Sequence, residues 1–373
     1  MEQEKIYQIA LSLLPGVGPV TAKNLIAYAG SIEEIFKLTD KALNKIPGIG
    51  KQLAINIKNK EVLKRAEAEI RFIEKHKIKL SYFLDKDYPP RLKQCDDAPL
   101  IIFQKGPANH NNDKAISIVG TRKATDYGLE MCKTIIKEFT EDGHRPIIIS
   151  GLAYGIDICA HQAAMDNDLE TVAVLGHGLD IIYPAAHKKY AREIARTGGL
   201  VSDFPSKSGF DKKHFIKRNR IIAGLSDATL VIESREKGGA LITADIAHSY
   251  NRDVFAVPGR RVDKSSSGCN QLIRRNIAAL VESAADIEYF MGWEKNRKKQ
   301  SNKQIELFPE LTEQEERIVK TIQENEPVEI DVLCQMLKIS PGKISPVLLD
   351  LEFAGVVKAL PGKSYKINTN IFL

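Results

Sequence analysis

Short runs rich in isoleucine and valine recur through the middle of this chain, and helix-like stretches separate most of them. They predict β-strands at residues 115–119, 146–150, 171–175, 200–203, 228–233 and 254–257. Short strands that are apolar on both faces are typical of a parallel sheet covered by helices on each side. The pattern therefore predicts an α/β fold whose extended Rossmann-like core occupies residues 80–293.

Glycine follows many of these predicted strands, as at Gly120, Gly151, Gly176 and Gly259. In doubly wound sheets the ligand lies outside the carboxyl ends of the strands. Glycine at that edge lets the backbone approach a phosphate closely. We therefore expect a ligand site at the carboxyl edge of the sheet.

A repeated motif marks the region before the core. Residues 14–26 read LPGVGPVTAKNLI and residues 46–57 read IPGIGKQLAINI. The repeat predicts a helical domain over residues 1–75 that contains two helix-hairpin-helix (SAM-like) motifs. Such a turn can offer backbone N–H groups at a helix start to a phosphate, but such pairs also serve only as packing units. The sequence leaves both roles open.

The region after the core predicts a winged helix over residues 311–373, with three helices followed by a hairpin that has Pro-Gly at its turn. The polar and basic stretch 294–310 predicts a linker. The would-be recognition helix carries Asp350 and Glu352, and the region has nine acidic against seven basic residues. A major-groove reader usually offers Arg, Lys, Asn or Gln, so protein interaction or dimerisation is favoured over duplex reading.

Positive charge is clustered in this chain. The net charge is +6, and the basic residues concentrate at 205–220 and 258–275, as a nucleic-acid footprint requires. A pair of solvated loops is the alternative. The five cysteines form no CxxC pair, which argues against zinc ligation and a disulfide framework. Neither a signal peptide nor a membrane-length apolar run is recognised. We therefore expect a cytoplasmic protein without a membrane partner.

Several enzymatic signatures are missing from the sequence. The phosphate-binding GxxxxGK[ST] motif and the dinucleotide GxGxxG motif are both absent. Asp157 and His161 share a helix face and could serve acid–base or metal chemistry, although a helix cap and a packed histidine are the more ordinary interpretations. Glu233 ends a strand at the ligand edge, where it could act as a base or hold a loop. The sequence therefore predicts a non-catalytic protein without a cofactor or a metal.

Two stretches predict binding of single-stranded DNA. Arg122 is predicted at a helix start, where the dipole disfavours a cation, so an anionic ligand explains it better. Phe215 lies beside Lys217, Arg218 and Arg220, and an aromatic ring among cations is what single-strand binding requires. Phe215 could instead belong to the core. The polar run 217–220 is expected to resist burial.

These stretches resemble the DNA-processing protein A family, also called Smf. The matching motifs are GTRKATDYG (120–128), SGLAYGIDICAH (150–161), TVAVLGHGLDIIYP (171–184), FIKRNRIIAGLSDATLVIE (215–233), GGALITADIA (238–247), VFAVPG (254–259) and SSSGCNQLI (265–273). The resemblance implies a homodimer, formed through the Rossmann-like domain. It also implies that the protein binds and protects single-stranded DNA and helps to load the recombinase RecA during natural transformation.

The resemblance also implies which residues contact DNA. The predicted positions are Gly120, Arg122, Lys123, Ser150, Gly151, Phe215, Lys217, Arg218, Asn219, Arg220, Gly238 and Gly239. The family often has serine where Gly238 stands, so a hydroxyl that could bond a phosphate is absent from this position.

An enzyme of the related lysine-decarboxylase-like Rossmann group, hydrolysing nucleotides, is the alternative function. Its Gly-Gly loop typically continues with Gly-Thr-x-x-Glu, and the glutamate carries the chemistry. Here the stretch reads GGALITAD, with Asp245 as the nearest carboxylate. The missing glutamate disfavours this alternative.

Overall fold

The computed structural model describes residues 2–294, 311–360 and 363–367. The chain divides into two compact units, residues 1–298 and 299–373. Apart from residue 294, the predicted linker lies outside the described residues, as does the Pro-Gly pair predicted for the hairpin turn. None of the described helices combines the length and apolar character needed to cross a membrane.

The first unit begins with helices, as the sequence predicts. They are α1 (Glu2–Leu13), α2 (Pro19–Ala29), α3 (Ile32–Lys37), α4 (Asp40–Leu43), α5 (Lys51–Ile57) and α6 (Lys60–His76). Helices α2 and α5 follow Gly18 and Gly50, the last glycines of the two repeated motifs, which stand at N-caps with extended backbone.

Strands and helices alternate in the remainder of this unit. In order they are β1 (Lys79–Tyr82), α7 (Pro90–Lys93), β2 (Ile101–Lys105), β3 (Ala115–Gly120), α8 (Asp126–Glu141), β4 (Ile147–Ser150), α9 (Ile156–Asp166), β5 (Thr171–Val174), a 3-10 turn (Ala185–His187), α10 (Lys188–Thr197), β6 (Gly199–Ser202), α11 (Lys212–Gly224), β7 (Ala228–Glu233), α12 (Gly239–Ser249), β8 (Asp253–Ala256), α13 (Ser267–Arg274), β9 (Ala279–Leu280) and α14 (Ala284–Met291). Every predicted strand is present, with ends shifted by at most one residue.

The strands form one sheet in the order β1-β2-β6-β5-β4-β3-β7-β8-β9. From β6 to β9 all neighbours are parallel, whereas β2 runs antiparallel to both β6 and β1. The chain starts the parallel part at β3, builds outward to β6, and returns to the other side of β3 with β7. The strand order therefore reverses between β3 and β7, and this is where doubly wound sheets bind ligands.

Apolar clusters cover both faces of the sheet. One packs side chains of α11, α12 and α13 on the sheet, and another packs those of α8, α9 and α14 on the opposite face. The N-terminal helices have their own cluster, which also includes Ile101 and Phe103 of β2. The helical region is therefore packed against the antiparallel edge of the sheet.

The second unit has the element order of a winged helix. It contains α15 (Glu313–Glu324), β10 (Val328–Glu329), α16 (Ile330–Leu337), α17 (Pro341–Phe353), β11 (Val357–Leu360) and β12 (Ser364–Ile367). Strand β12 pairs with both β11 and β10, and the unit has its own apolar core. The predicted fold class is confirmed.

Candidate nucleic-acid interface

A cavity of about 490 Å³ opens at the carboxyl ends of β3 and β7. The loop after each strand, helix α11 and the start of α12 supply its walls. Of the residues predicted from the sequence, those that line it are Gly120, Arg122, Phe215, Arg218, Asn219, Gly238 and Gly239. The expected ligand edge thus contains a cavity that brings three separate motifs together.

The loop after β3 is held in place by Glu233, at the end of β7. This buried carboxylate accepts hydrogen bonds from Thr125, through its backbone N–H at 2.9 Å and its hydroxyl at 2.7 Å. The backbone N–H of Thr121 donates to the Glu233 carbonyl at 2.8 Å. These contacts indicate that Glu233 holds a loop in place, which is one of its two predicted roles; the other is to act as a base.

Arg122 and Lys123 are both exposed on this loop. The expectation that Arg122 stands at the start of a helix is wrong, because α8 begins at Asp126 and Thr125 is its cap. The dipole therefore does not explain the position of Arg122. The loop places the exposed side chain of Arg122 at the cavity wall.

Arg218 forms part of the cavity floor and is only 4% exposed. Its guanidinium donates to the carbonyls of Gly151, at 2.8 Å, and Val174, which lie after β4 and at the end of β5. Its Nε has no hydrogen-bond partner among the residues that the structure describes. Burial lowers the pKa of Arg218 to about 10, and nearby Asp157 opposes this shift. The group therefore stays charged at neutral pH.

Gly151 makes room for this arginine. A Cβ atom at this position would lie 2.6 Å from both terminal nitrogens of Arg218 and from Oδ2 of Asp157. Ser150 is fully buried, and its hydroxyl donates to the carbonyl of Ile118 at 2.6 Å. Both residues shape the site from behind the cavity wall.

The expectation that the run 217–220 resists burial is wrong for two of its members. Arg220 is 6% exposed, like the buried Arg218, and its guanidinium bonds Oδ2 of Asp203 at 2.6 Å and the carbonyl of Asp97. Lys217 is exposed, with its ammonium 4.0 Å from the Asp203 carboxylate and 5.4 Å from the centre of the Phe204 ring. Arg220 and Lys217 are thus directed at Asp203, and only Arg218 and Asn219 line the cavity.

Three aromatic side chains form a cluster on the cavity wall, which we call the aromatic rim: Tyr183, Phe210 and Phe215. Their ring centres lie 4.5 Å apart for Tyr183 and Phe210, 5.2 Å for Phe210 and Phe215, and 5.9 Å for Tyr183 and Phe215. Tyr183 is 43% and Phe210 53% exposed. Exposed rings beside cations can stack unpaired bases.

Sequence reasoning missed several residues that line this cavity: Tyr183, Phe210, Lys212, Arg235 and Lys237. Signals for some of them are present. Tyr183 belongs to one of the quoted family motifs, and Phe210 precedes the lysine pair 212–213. Arg235 and Lys237 lie just after a predicted strand, at the edge where a ligand is expected.

Asp157 and His161 do not act together at this site. His161 is fully buried and its Nδ1 lies 2.7 Å from the hydroxyl of Thr171. Burial lowers its pKa to about 3, so it is neutral. Burial also raises the pKa of Asp157, while Arg218 lowers it. No cluster of three or more potential metal ligands occurs among the described residues.

The profile of the DNA recombination-mediator protein A family matches residues 79–292. The chain belongs to this family. Profiles of the DprA winged helix domain and of a SAM-like helix-hairpin-helix tandem match residues 307–363 and 9–60. The resemblance drawn from the motifs is confirmed.

Two curated relatives match this chain over half or more of its length. Protein Smf of Synechocystis is 32% identical over 97% of this chain and 98% of its own. DNA processing protein DprA of Streptococcus pneumoniae is 38% identical over 55% of this chain and 71% of its own. The name of the second relative refers to DNA processing.

Two solved DprA structures share this fold. The X-ray structure of the Streptococcus pneumoniae protein aligns with a TM-score of 0.65 and 30% identity, covering 77% of this chain and 97% of its own. A structure of the Helicobacter pylori protein aligns with a TM-score of 0.51 and 26% identity, covering 57% and 95%. That structure is described as giving insight into the single-stranded DNA binding mode of the Helicobacter pylori protein.

Gly238, where the DprA family often has serine, is the N-cap of α12 and makes no side-chain cap bond. A Cβ at this position would lie 2.1 Å from the hydroxyl oxygen of Ser234, which also lines the cavity. The Ser234 hydroxyl therefore occupies the space that a side chain at position 238 would need. The first N–H groups of α12 lie without a side-chain cap at the cavity, where a helix dipole favours an anion.

Proposed function

We propose that this chain binds single-stranded DNA in the cavity at the carboxyl ends of β3 and β7. Bases stack on the aromatic rim, while the phosphates lie along the start of α12 and four exposed cations, Arg122, Lys212, Arg235 and Lys237. The observation that carries the proposal is the placement of exposed rings and exposed cations around one cavity at the strand-order reversal. The Helicobacter pylori relative, whose structure is described for its single-stranded DNA binding mode, supports it.

Unpaired rather than paired DNA is the proposed ligand because stacking on a protein ring needs an exposed base face, which a duplex keeps covered. The cations contribute attraction that does not depend on sequence. Together these features favour binding of any sequence of unpaired bases. They support a binding function without catalysis, in which Asp157 helps to keep Arg218 in place.

The proposed cellular role follows the family. The chain protects incoming single-stranded DNA in the cytoplasm and helps to load RecA onto it during natural transformation and recombination. It acts as a homodimer through the Rossmann-like domain at residues 80–293. The helical domain at 1–75 and the winged helix at 311–373, which the linker 294–310 joins to the core, serve as accessory modules.

A titration of matched single-stranded and double-stranded oligonucleotides at two salt concentrations tests the binding proposal. We expect tighter binding of the single strand and a steep loss of affinity with salt. Equal affinity for both ligands would refute it. Light scattering tests the dimer, and RecA filament formation on a strand already bound by this protein tests the loading step.

A further inference from the structure

The loop between β6 and α11 carries one ring of the aromatic rim, Phe210. After Ser206, which is buried, the loop emerges into solvent at Lys207 and Gly209. Phe210 itself is more than half exposed and contacts the other two rim residues. Its position therefore depends on how the preceding residues are anchored.

Helix α6 of the N-terminal region provides that anchor. Glu69 is 1% exposed, and its two carboxylate oxygens accept hydrogen bonds from Ser206, from the backbone N–H at 2.8 Å and from the hydroxyl at 2.6 Å. Arg65, one helical turn earlier, donates to Oε2 of Glu69 at 2.8 Å and also to the carbonyl of Ser206. Both backbone polar groups of Ser206 are thus bonded by α6.

A second anchor holds the same loop from the side of Tyr183. The backbone N–H of Lys207 donates to Oδ2 of Asp180 at 2.9 Å, and the N–H of Gly178 donates to the hydroxyl of Ser208 at 3.3 Å. These bonds connect the loop to the segment after β5 that leads to Tyr183. The loop that carries Phe210 is therefore held by two sets of hydrogen bonds, one to α6 and one to the segment that leads to Tyr183.

We propose that Glu69 is a positioning residue for DNA binding, through which the N-terminal helical region sets the Phe210 ring in the aromatic rim. The proposal rests on the proposed function, because it assigns the rim to base stacking. A buried carboxylate is costly unless it is paired and hydrogen-bonded. Both oxygens of Glu69 accept hydrogen bonds from Ser206, and one also accepts from Arg65. Replacing Glu69 therefore releases the loop that carries Phe210.

The first test requires no DNA. Hydrogen exchange of the backbone amides at 204 and 206–211 should be faster in Glu69→Ala than in the wild type, because Ser206 loses its acceptor. Lys64→Ala is the matched control on the same helix, since Lys64 is exposed and its ammonium lies 2.8 Å from the carboxylate of exposed Glu61. Unchanged exchange in Glu69→Ala would overturn the proposal even if the protein binds single strands well.

The second test separates base stacking from phosphate contacts. Glu69→Ala should weaken binding of an oligothymidine about fivefold or more, the lower end of one lost stacked base, and leave an abasic strand of equal length unaffected. Phe210→Ala should do the same, and the double variant should lose no more than either single one. Additive losses, or equal losses on the abasic strand, would refute the positioning role.

Ser206→Ala provides a milder variant if Glu69→Ala unfolds. It removes one hydrogen bond to Glu69 and keeps the bond from the Ser206 backbone N–H. We expect intermediate exchange and an intermediate loss of oligothymidine affinity. If wild-type protein binds neither strand, the proposed function fails, whereas the exchange experiment still decides whether α6 holds the loop.

Discussion

Replacing Arg122 with alanine should reduce the salt dependence of single-strand binding by a definable amount. The cavity is lined by four cations whose side chains are exposed, namely Arg122, Lys212, Arg235 and Lys237. Arg218 and Asp157 are buried at the cavity floor, where their charges oppose each other, so Arg218 is not counted. Each phosphate neutralised on a single strand contributes about −0.7 to the slope of log affinity against log salt. The wild-type slope should therefore be about −2.8 and the Arg122→Ala slope about −2.1.

The difference is measurable by fluorescence anisotropy with a labelled oligothymidine. Between about 50 and 200 mM salt, the wild-type affinity should fall about fiftyfold and that of Arg122→Ala about twentyfold. Arg145→Ala is the matched control, because Arg145 is exposed just before β4, at the opposite edge of the sheet. The reasoning is refuted if Arg122→Ala keeps the wild-type slope or if Arg145→Ala lowers it equally.

Three further predictions follow from the same contacts. Tyr183→Ala should cost about 1–3 kcal/mol of oligothymidine binding but nothing on an abasic strand, while Tyr183→Phe keeps the ring and the affinity; a loss on both strands would contradict this. Because burial lowers the pKa of His161 to about 3, only the unfolded chain takes up its proton near pH 6, and stability falls as pH drops below about 6.5. The free energy of unfolding of His161→Asn, measured in urea, should therefore fall by about 1.4 kcal/mol less than that of the wild type between about pH 7.5 and 5.5. An equal fall in both proteins would show that His161 takes up a proton in the folded state. Deleting residues 305–373 should leave single-strand affinity largely intact, since the cavity is formed by the other unit alone; loss of binding in the same anisotropy assay would assign the winged helix to the interface.

Local pattern was enough to predict strands β3 to β8 of the parallel part of the sheet, although not the two-residue strand β9. Strands such as 228–233 are mostly apolar and are flanked by polar residues, so their limits are determined within a few residues of sequence. Strands β1 and β2 were not predicted, because they form an antiparallel edge whose partners are each other and β6. Their pairing depends on contacts between distant segments, which a single sequence does not display.

The aromatic rim illustrates the same limit at the site. Phe215 could be proposed because cations surround it in sequence, but Tyr183 and Phe210 reach it from two other loops. The contact exists because the loop after β6 is bonded to the segment after β5 and to α6. No residue near Phe210 in the sequence predicts the role of Glu69, which lies 141 positions earlier.

Helix α11 shows what the sequence does contain once its periodicity is considered. Residues lining the cavity are spaced as one helical face, with Lys212, Phe215, Ile216 and Asn219 at positions i, i+3, i+4 and i+7. Lys217 and Arg220, three apart, lie on the other side, towards Asp203. A basic run on a helix therefore cannot contribute all of its charges to one ligand, because about half of them must point elsewhere. The charges that remain beside the cavity reach it from several loops, so binding by this chain depends on its fold more than on any one basic segment.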